Sequence, residues 1–128
     1  MNELVREWIE KAEADSRTAE RESAVTDGPN WDAVCFHAQQ AIEKYFKALL
    51  QQQGVPFPKI HDLTILAKVL FPAHPEWEAS RDSLEKLSLF AVELRYPGET
   101  ASEQDAMQAV GIMQEWRQRL REVLKLLQ

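Results

Sequence analysis

Four side chains able to donate a hydrogen bond recur along one stretch of the sequence: His37, Gln40, Lys44 and Lys47. Their spacing of i, i+3, i+7 and i+10 puts them on one face of a helix. Imidazole, amide and ammonium groups on a shared face suit a phosphate or a carboxylate. The same spacing also describes the solvated side of an ordinary amphipathic helix, so both readings stay open here. A later segment carries Lys59, His61 and Asp62. His61 precedes a helix start, where free backbone N–H groups and the helix dipole favour an anion; a capping or packing histidine is the alternative. Arg95-Tyr96-Pro97-Gly98 offers a planar guanidinium for phosphate and a ring for a base. Its plainer reading is a helix stop with an arginine favoured by the dipole. The candidate ligand-binding residues are therefore Lys44, Lys47, Lys59, His61, Arg95 and Tyr96.

Other chemistries lack their residues. There is no glycine-rich phosphate loop, no His-Glu-x-x-His and no Gly-x-Ser-x-Gly. The three histidines at 37, 61 and 74 do not have metal-ligand spacing, and no Glu stands three residues before a His, as a helical di-iron site needs. The single cysteine, Cys35, excludes an internal disulfide and a cysteine-rich zinc site. No metal, no cofactor and no catalytic residue is expected.

Fifteen basic and 21 acidic residues leave a net charge of −6. Bulk nucleic-acid binding through charge alone is therefore not expected. The charge is uneven: residues 1–32 hold nine acidic and four basic side chains, whereas residues 33–60 hold Lys44, Lys47 and Lys59 against Glu43. An anionic ligand would be expected near that cationic segment. No apolar run approaches the ~20 residues of a membrane span, and residues 1–15 lack the apolar stretch of a secretory signal. The expectation is a soluble, cytoplasmic, single-domain protein spanning residues 1–128.

The elements that must position these groups read as helices throughout. Leu4, Val5, Trp8, Ile9 and Ala12 have helical spacing, and the pattern runs to about Val25 before Gly28 and Pro29 break it. A second helix runs from about Asn30 or Trp31 to Gln53, with Val34, Ala38, Ala41, Tyr45, Ala48 and Leu49 as its stripe. Asp62 can cap a short third helix to about Phe71. The fourth is expected over about Glu76–Leu94, with Leu84, Leu87, Leu89, Phe90 and Leu94 in the core. Thr100 and Glu103 have capping-box spacing, and a last helix over about Ala101–Leu127 would bury Met107, Val110, Met113, Trp116 and Leu120. The prediction is an all-α, up-and-down bundle of four long helices and one short one. Trp8, Tyr45, Leu49, Phe90 and Trp116 should be largely buried. Trp31, Phe36, Phe71 and Trp77 are candidates for an apolar patch.

Three ordered blocks resemble the HEPN domain (higher eukaryotes and prokaryotes nucleotide-binding): residues Phe36 to Leu50, reading FHAQQAIEKYFKALL; residues Pro58 to Leu66, reading PKIHDLTIL; and Arg95-Tyr96-Pro97-Gly98. Trp8, Ala12, Ala14 and Asp15 resemble the family's opening, and the likeness extends from about Leu4 to Leu124. The resemblance implies an all-α bundle, a homodimer, and in many bacterial and archaeal members a gene beside a minimal nucleotidyltransferase, often as a toxin–antitoxin pair. Many members are metal-independent ribonucleases carrying Arg, four to six residues, then His. Here Arg95 is followed at those distances by Thr100, Ala101 and Ser102, and no other histidine has a suitably placed arginine. Losing that histidine removes the obvious acid/base group. The expected function is a non-catalytic module that binds a nucleotide or phosphate-bearing ligand and pairs with a nucleotidyltransferase-type partner. The alternative is a divergent ribonuclease that uses Arg95 with His37 or His61.

Overall fold

The computed structural model describes residues 1–93 and 96–126. Leu94, Leu127 and the candidate ligand residue Arg95 lie outside the described residues. Five helices follow one another: α1 Glu3–Ser23, α2 Trp31–Gln52, α3 Leu63–Leu70, α4 Arg81–Glu93 and α5 Glu103–Val123. No strand occurs among the described residues.

α2 is the axis of the bundle. Thirteen of its 22 residues are buried, too many for a one-sided surface helix. Small residues at Ala38, Ala41 and Ala48 let neighbours approach, while Ile42, Tyr45, Phe46, Leu49 and Leu50 fill the volume between them. α1 and α5 pack along α2, and α3 and α4 cover the remaining side. Tyr45, Leu49 and Trp116 are fully buried as predicted.

The caps explain where the helices begin. Asn2, Asn30 and Asp62 each accept a hydrogen bond from a first-turn N–H. The capping box of α5 is formed by Ser102 and Asp105, two residues later than the predicted Thr100 and Glu103. The reason is that Asp32 of α2 takes the Ala101 N–H at 2.6 Å, anchoring the chain just before Ser102, whose own backbone is extended.

The predicted fourth helix starts differently. Pro75–Ser80 winds as a 3-10 turn before α4 begins at Arg81. That turn drives Trp77 into the core, where it stacks on His74 and meets Trp116 edge-on at 5.6 Å. Trp116 Nε1 donates to Ser83 Oγ at 2.9 Å, so its one polar atom is satisfied at the start of α4. Trp77 and Phe71 are consequently buried and form no surface patch. Trp8 and Phe90 are only half-buried, and Leu4, Leu89 and Met107 are exposed, contrary to the predicted core. Trp8 and Phe90 pack against the rim of the core, with Trp8 edge-on to Phe57, while Leu4, Leu89 and Met107 face solvent. The large apolar side chains left in solvent include Phe36, Ile65, Val69, Leu89, Val92 and Tyr96.

Candidate functional site

The face predicted from His37, Gln40, Lys44 and Lys47 exists, but acidic partners occupy it. Asp15 comes from α1, which packs along α2. One carboxylate oxygen lies 2.8 Å from His37 Nδ1 and the other 2.5 Å from Lys44 Nζ. A turn further along α2, Glu43 is buried and receives Lys47 Nζ at 3.0 Å. Gln39 and Gln40 also donate to Glu43, and His61 Nδ1 lies 3.1 Å from both of its oxygens.

Lys47 and His61, both candidate ligand residues, therefore converge, but they converge on Glu43. Lys47 is buried, and its ammonium stands 5.4 Å from the centre of the Trp8 ring. Lys44 belongs to the separate Asp15 cluster. Lys59 and Tyr96 are exposed. At the start of α5 the Asp105 N–H is taken by Ser102 Oγ, and the two N–H groups just before the helix, of Ala101 and Ser102, donate to Asp32 and Asp105.

The two histidines share a chemical feature. A carboxylate can only accept, so an Nδ1–H donates to it and the neutral ring keeps its lone pair on Nε2. Each ring borders a groove beside α4. His61 lines a groove of about 520 Å³ together with Asp62, Thr64, Glu85, Ser88, Leu89 and Val92. His37 lines a smaller one of about 290 Å³ with Asn30, Asp32, Ala33, Phe36 and Phe90. In the larger groove, Ser88 Oγ accepts from Leu63 N, leaving its hydroxyl hydrogen to donate elsewhere. Gln39 Nε2 donates to the His61 carbonyl at 2.9 Å, so the backbone as well as the ring of His61 is tied to α2.

A third network joins α1, α2 and α5. Arg117 donates to Glu13 at 2.6 Å and to Tyr45 Oη at 3.1 Å, and Arg121 also pairs with Glu13. Burial raises the Glu13 carboxyl. The hydrogen bonds from Arg117 and Tyr45, with the charges of Arg117 and Arg121, outweigh that and hold it below its usual range. Burial and Glu13 push the Tyr45 hydroxyl up. Tyr45 is fully buried, so this network serves packing. The Cys35 thiol is pushed up to about 12 by burial first and then by the charges of Asp105 and Asp32.

Asp15 and Glu43, which organise both histidines, are absent from the predicted set. The i,i+4 spacing of Glu43 and Lys47 was a readable signal. The pairing of Asp15 with residues 22 and 29 positions away carried no local one. Among the described residues, no group of three His, Cys, Asp or Glu side chains could hold a metal ion, and no helix is long and apolar enough to cross a membrane.

A family model for the HEPN domain matches residues 5–123. Two solved structures share the fold. TT1696 from Thermus thermophilus superposes with a TM-score of 0.74 at 22% identity, over 92% of this chain and 96% of that one. ST0689, described as an archaeal HEPN homologue, gives a TM-score of 0.65 at 22% identity, over 92% and 95% of the two chains. No curated protein matches.

Proposed function

This chain belongs to the HEPN domain family, and on that footing we propose that it is a non-catalytic binding module whose ligand is a nucleotide held in the groove beside His61. The observation that carries this reading is the fixed imidazole at the groove's edge. His61 is anchored through ring and backbone to α2, while its Nε2 is left to the ligand. The groove combines an apolar side, Leu89 and Val92, with the polar groups of Asp62, Thr64, Glu85 and Ser88. A nucleoside matches that composition: its base packs on the apolar side and its ribose hydroxyls donate to the carboxylates.

Lys44 and Lys47 are already compensated by Asp15 and Glu43, so the nucleoside supplies more of the affinity than the phosphate does. Among the described candidate residues, Lys59, exposed two residues before His61, is the cation left for the phosphate. The expected result of a calorimetric titration is that adenosine and AMP bind within a few-fold of each other. His61→Ala should weaken both about tenfold, the loss of ~1.5 kcal/mol. Unchanged affinity in His61→Ala, or competition by inorganic phosphate alone, would remove the nucleotide from this groove.

The module is proposed to act as a homodimer paired with a nucleotidyltransferase-type protein, in the manner of toxin–antitoxin couples. Support for assembly comes from the exposed Ile65, Val69 and Tyr96, outside the lining of that groove. Light scattering at micromolar concentration should give twice the chain mass, and a monomer would refute the dimer. The ribonuclease alternative draws on one specific observation, that two histidines are each held by a carboxylate in the way a general base is.

A further inference from the structure

The smaller groove differs in character from the one beside His61, and its hydrogen-bonding groups are mainly acceptors. Asp32 takes the Ala101 N–H with one oxygen, and among the described residues nothing donates to the other. His37, with Nδ1 committed to Asp15, offers the lone pair of Nε2. Two phenylalanine rings, Phe36 and Phe90, line the same space, and Phe36 is 39% exposed. The local charge is negative and uncompensated: among the described residues no ion pair engages Asp32 or Asp105. Both carboxylates act on the neighbouring Cys35, disfavouring its thiolate. Lys44 does not offset them, because its charge is spent on Asp15 at 2.5 Å.

Aromatic rings, the second Asp32 oxygen and the Nε2 of an imidazole held through Nδ1 by Asp15 form a receptor for a planar cation. A guanidinium group stacks on aromatic faces, carries five N–H donors in a fixed fork, and sheds its water more readily than an ammonium ion does. A volume of about 290 Å³ falls at the small end of ligand sites and suits one side chain or a small molecule. The surrounding acidic surface, net −5 over residues 1–32, draws cations toward it. We propose that the groove between the start of α2 and the end of α4 receives a guanidinium group, with Asp32 and His37 accepting its N–H bonds and Phe36 and Phe90 flanking its plane. The guanidinium is either an arginine side chain of a partner protein or a free guanidino compound.

The test follows the His37 ring signals of the full chain by NMR during titration with methylguanidinium, at constant ionic strength. A saturable shift is expected, with methylammonium binding at least fivefold more weakly. Asp32→Asn keeps the acceptor for Ala101 but removes the charge, and should weaken methylguanidinium binding at least fivefold. Phe36→Leu keeps an apolar side chain but removes a ring, and should weaken it about threefold. Glu7→Gln deletes one acidic charge at the opposite end of α1 and should leave binding unchanged. An arginine-containing blocked peptide that binds tighter than methylguanidinium assigns the site to a protein partner; equal affinity assigns it to a free guanidino compound. A shift matched by sodium chloride, or wild-type affinity in both Asp32→Asn and Phe36→Leu, would overturn the proposal.

Discussion

Nδ1 of His61 lies 3.1 Å from both carboxylate oxygens of Glu43, although 63% of the His61 side chain is exposed and only 2% of the Glu43 side chain is. A surface residue that faces a groove is thus held by a charge in the core. That charge is shared with Lys47, whose ammonium is also buried. Burying two opposite charges is tolerated because the amides of Gln39 and Gln40 and the His61 ring complete the coordination of the carboxylate.

Glu43→Gln should cost about 3 kcal/mol, since it leaves the Lys47 ammonium buried without its counter-charge. The double change Glu43→Gln with Lys47→Met should recover more than half of that loss, because no charge then remains to be desolvated. Urea unfolding followed by circular dichroism measures both. A single variant as stable as wild type would show that the pair contributes nothing.

Acid should act through Glu13. Its carboxyl sits below the usual value of 4.5 in the folded chain, so the folded state binds fewer protons than the unfolded state. The resulting stability is fully present above the unfolded value and is lost as pH falls through the lowered folded one. Glu13→Gln should therefore be less stable near neutrality and lose less stability on acidification. Unfolding midpoints between about pH 6 and pH 3 would test this; parallel curves for the two proteins would contradict it.

Cys35 should be inert in the folded protein. It is buried, and its thiol is pushed up to about 12, so almost no thiolate exists at neutral pH. A thiol reagent at about pH 8 should label it only after denaturant unfolds the chain. Stoichiometric labelling without denaturant would indicate that the start of α2 opens readily.

Two glycines should respond in opposite directions to alanine. Gly111 sits in the middle of α5, and a Cβ there meets nothing within 4 Å. Gly111→Ala should stabilise by roughly 0.5–1 kcal/mol, because alanine loses less backbone freedom on forming the helix. Gly54 follows α2 with φ +68°, a left-handed conformation that alanine resists. Gly54→Ala should cost roughly 1 kcal/mol. Thermal unfolding of both variants reads the signs directly.

Helical periodicity and breakers were enough to determine the all-α fold, the axis role of α2 with Tyr45 and Leu49 inside, and the Asp62 cap, because those features depend on residues within a few turns of one another. Three ordered motifs were enough to indicate the HEPN family. Tertiary structure decided the rest. Trp77 looked like surface surplus, yet a 3-10 turn seats it against Trp116, far along the chain on α5. The α5 cap shifted to Ser102 because Asp32, 69 residues before Ala101, holds that residue's N–H. Lys44 and Lys47 read as free cations on a helix face, and their charges are spent on Asp15 and Glu43. The i,i+4 pair lay within sight of the sequence. The other required α1 to pack on α2, since a helix face reveals which groups it presents and only the packing partner determines which of them remain available.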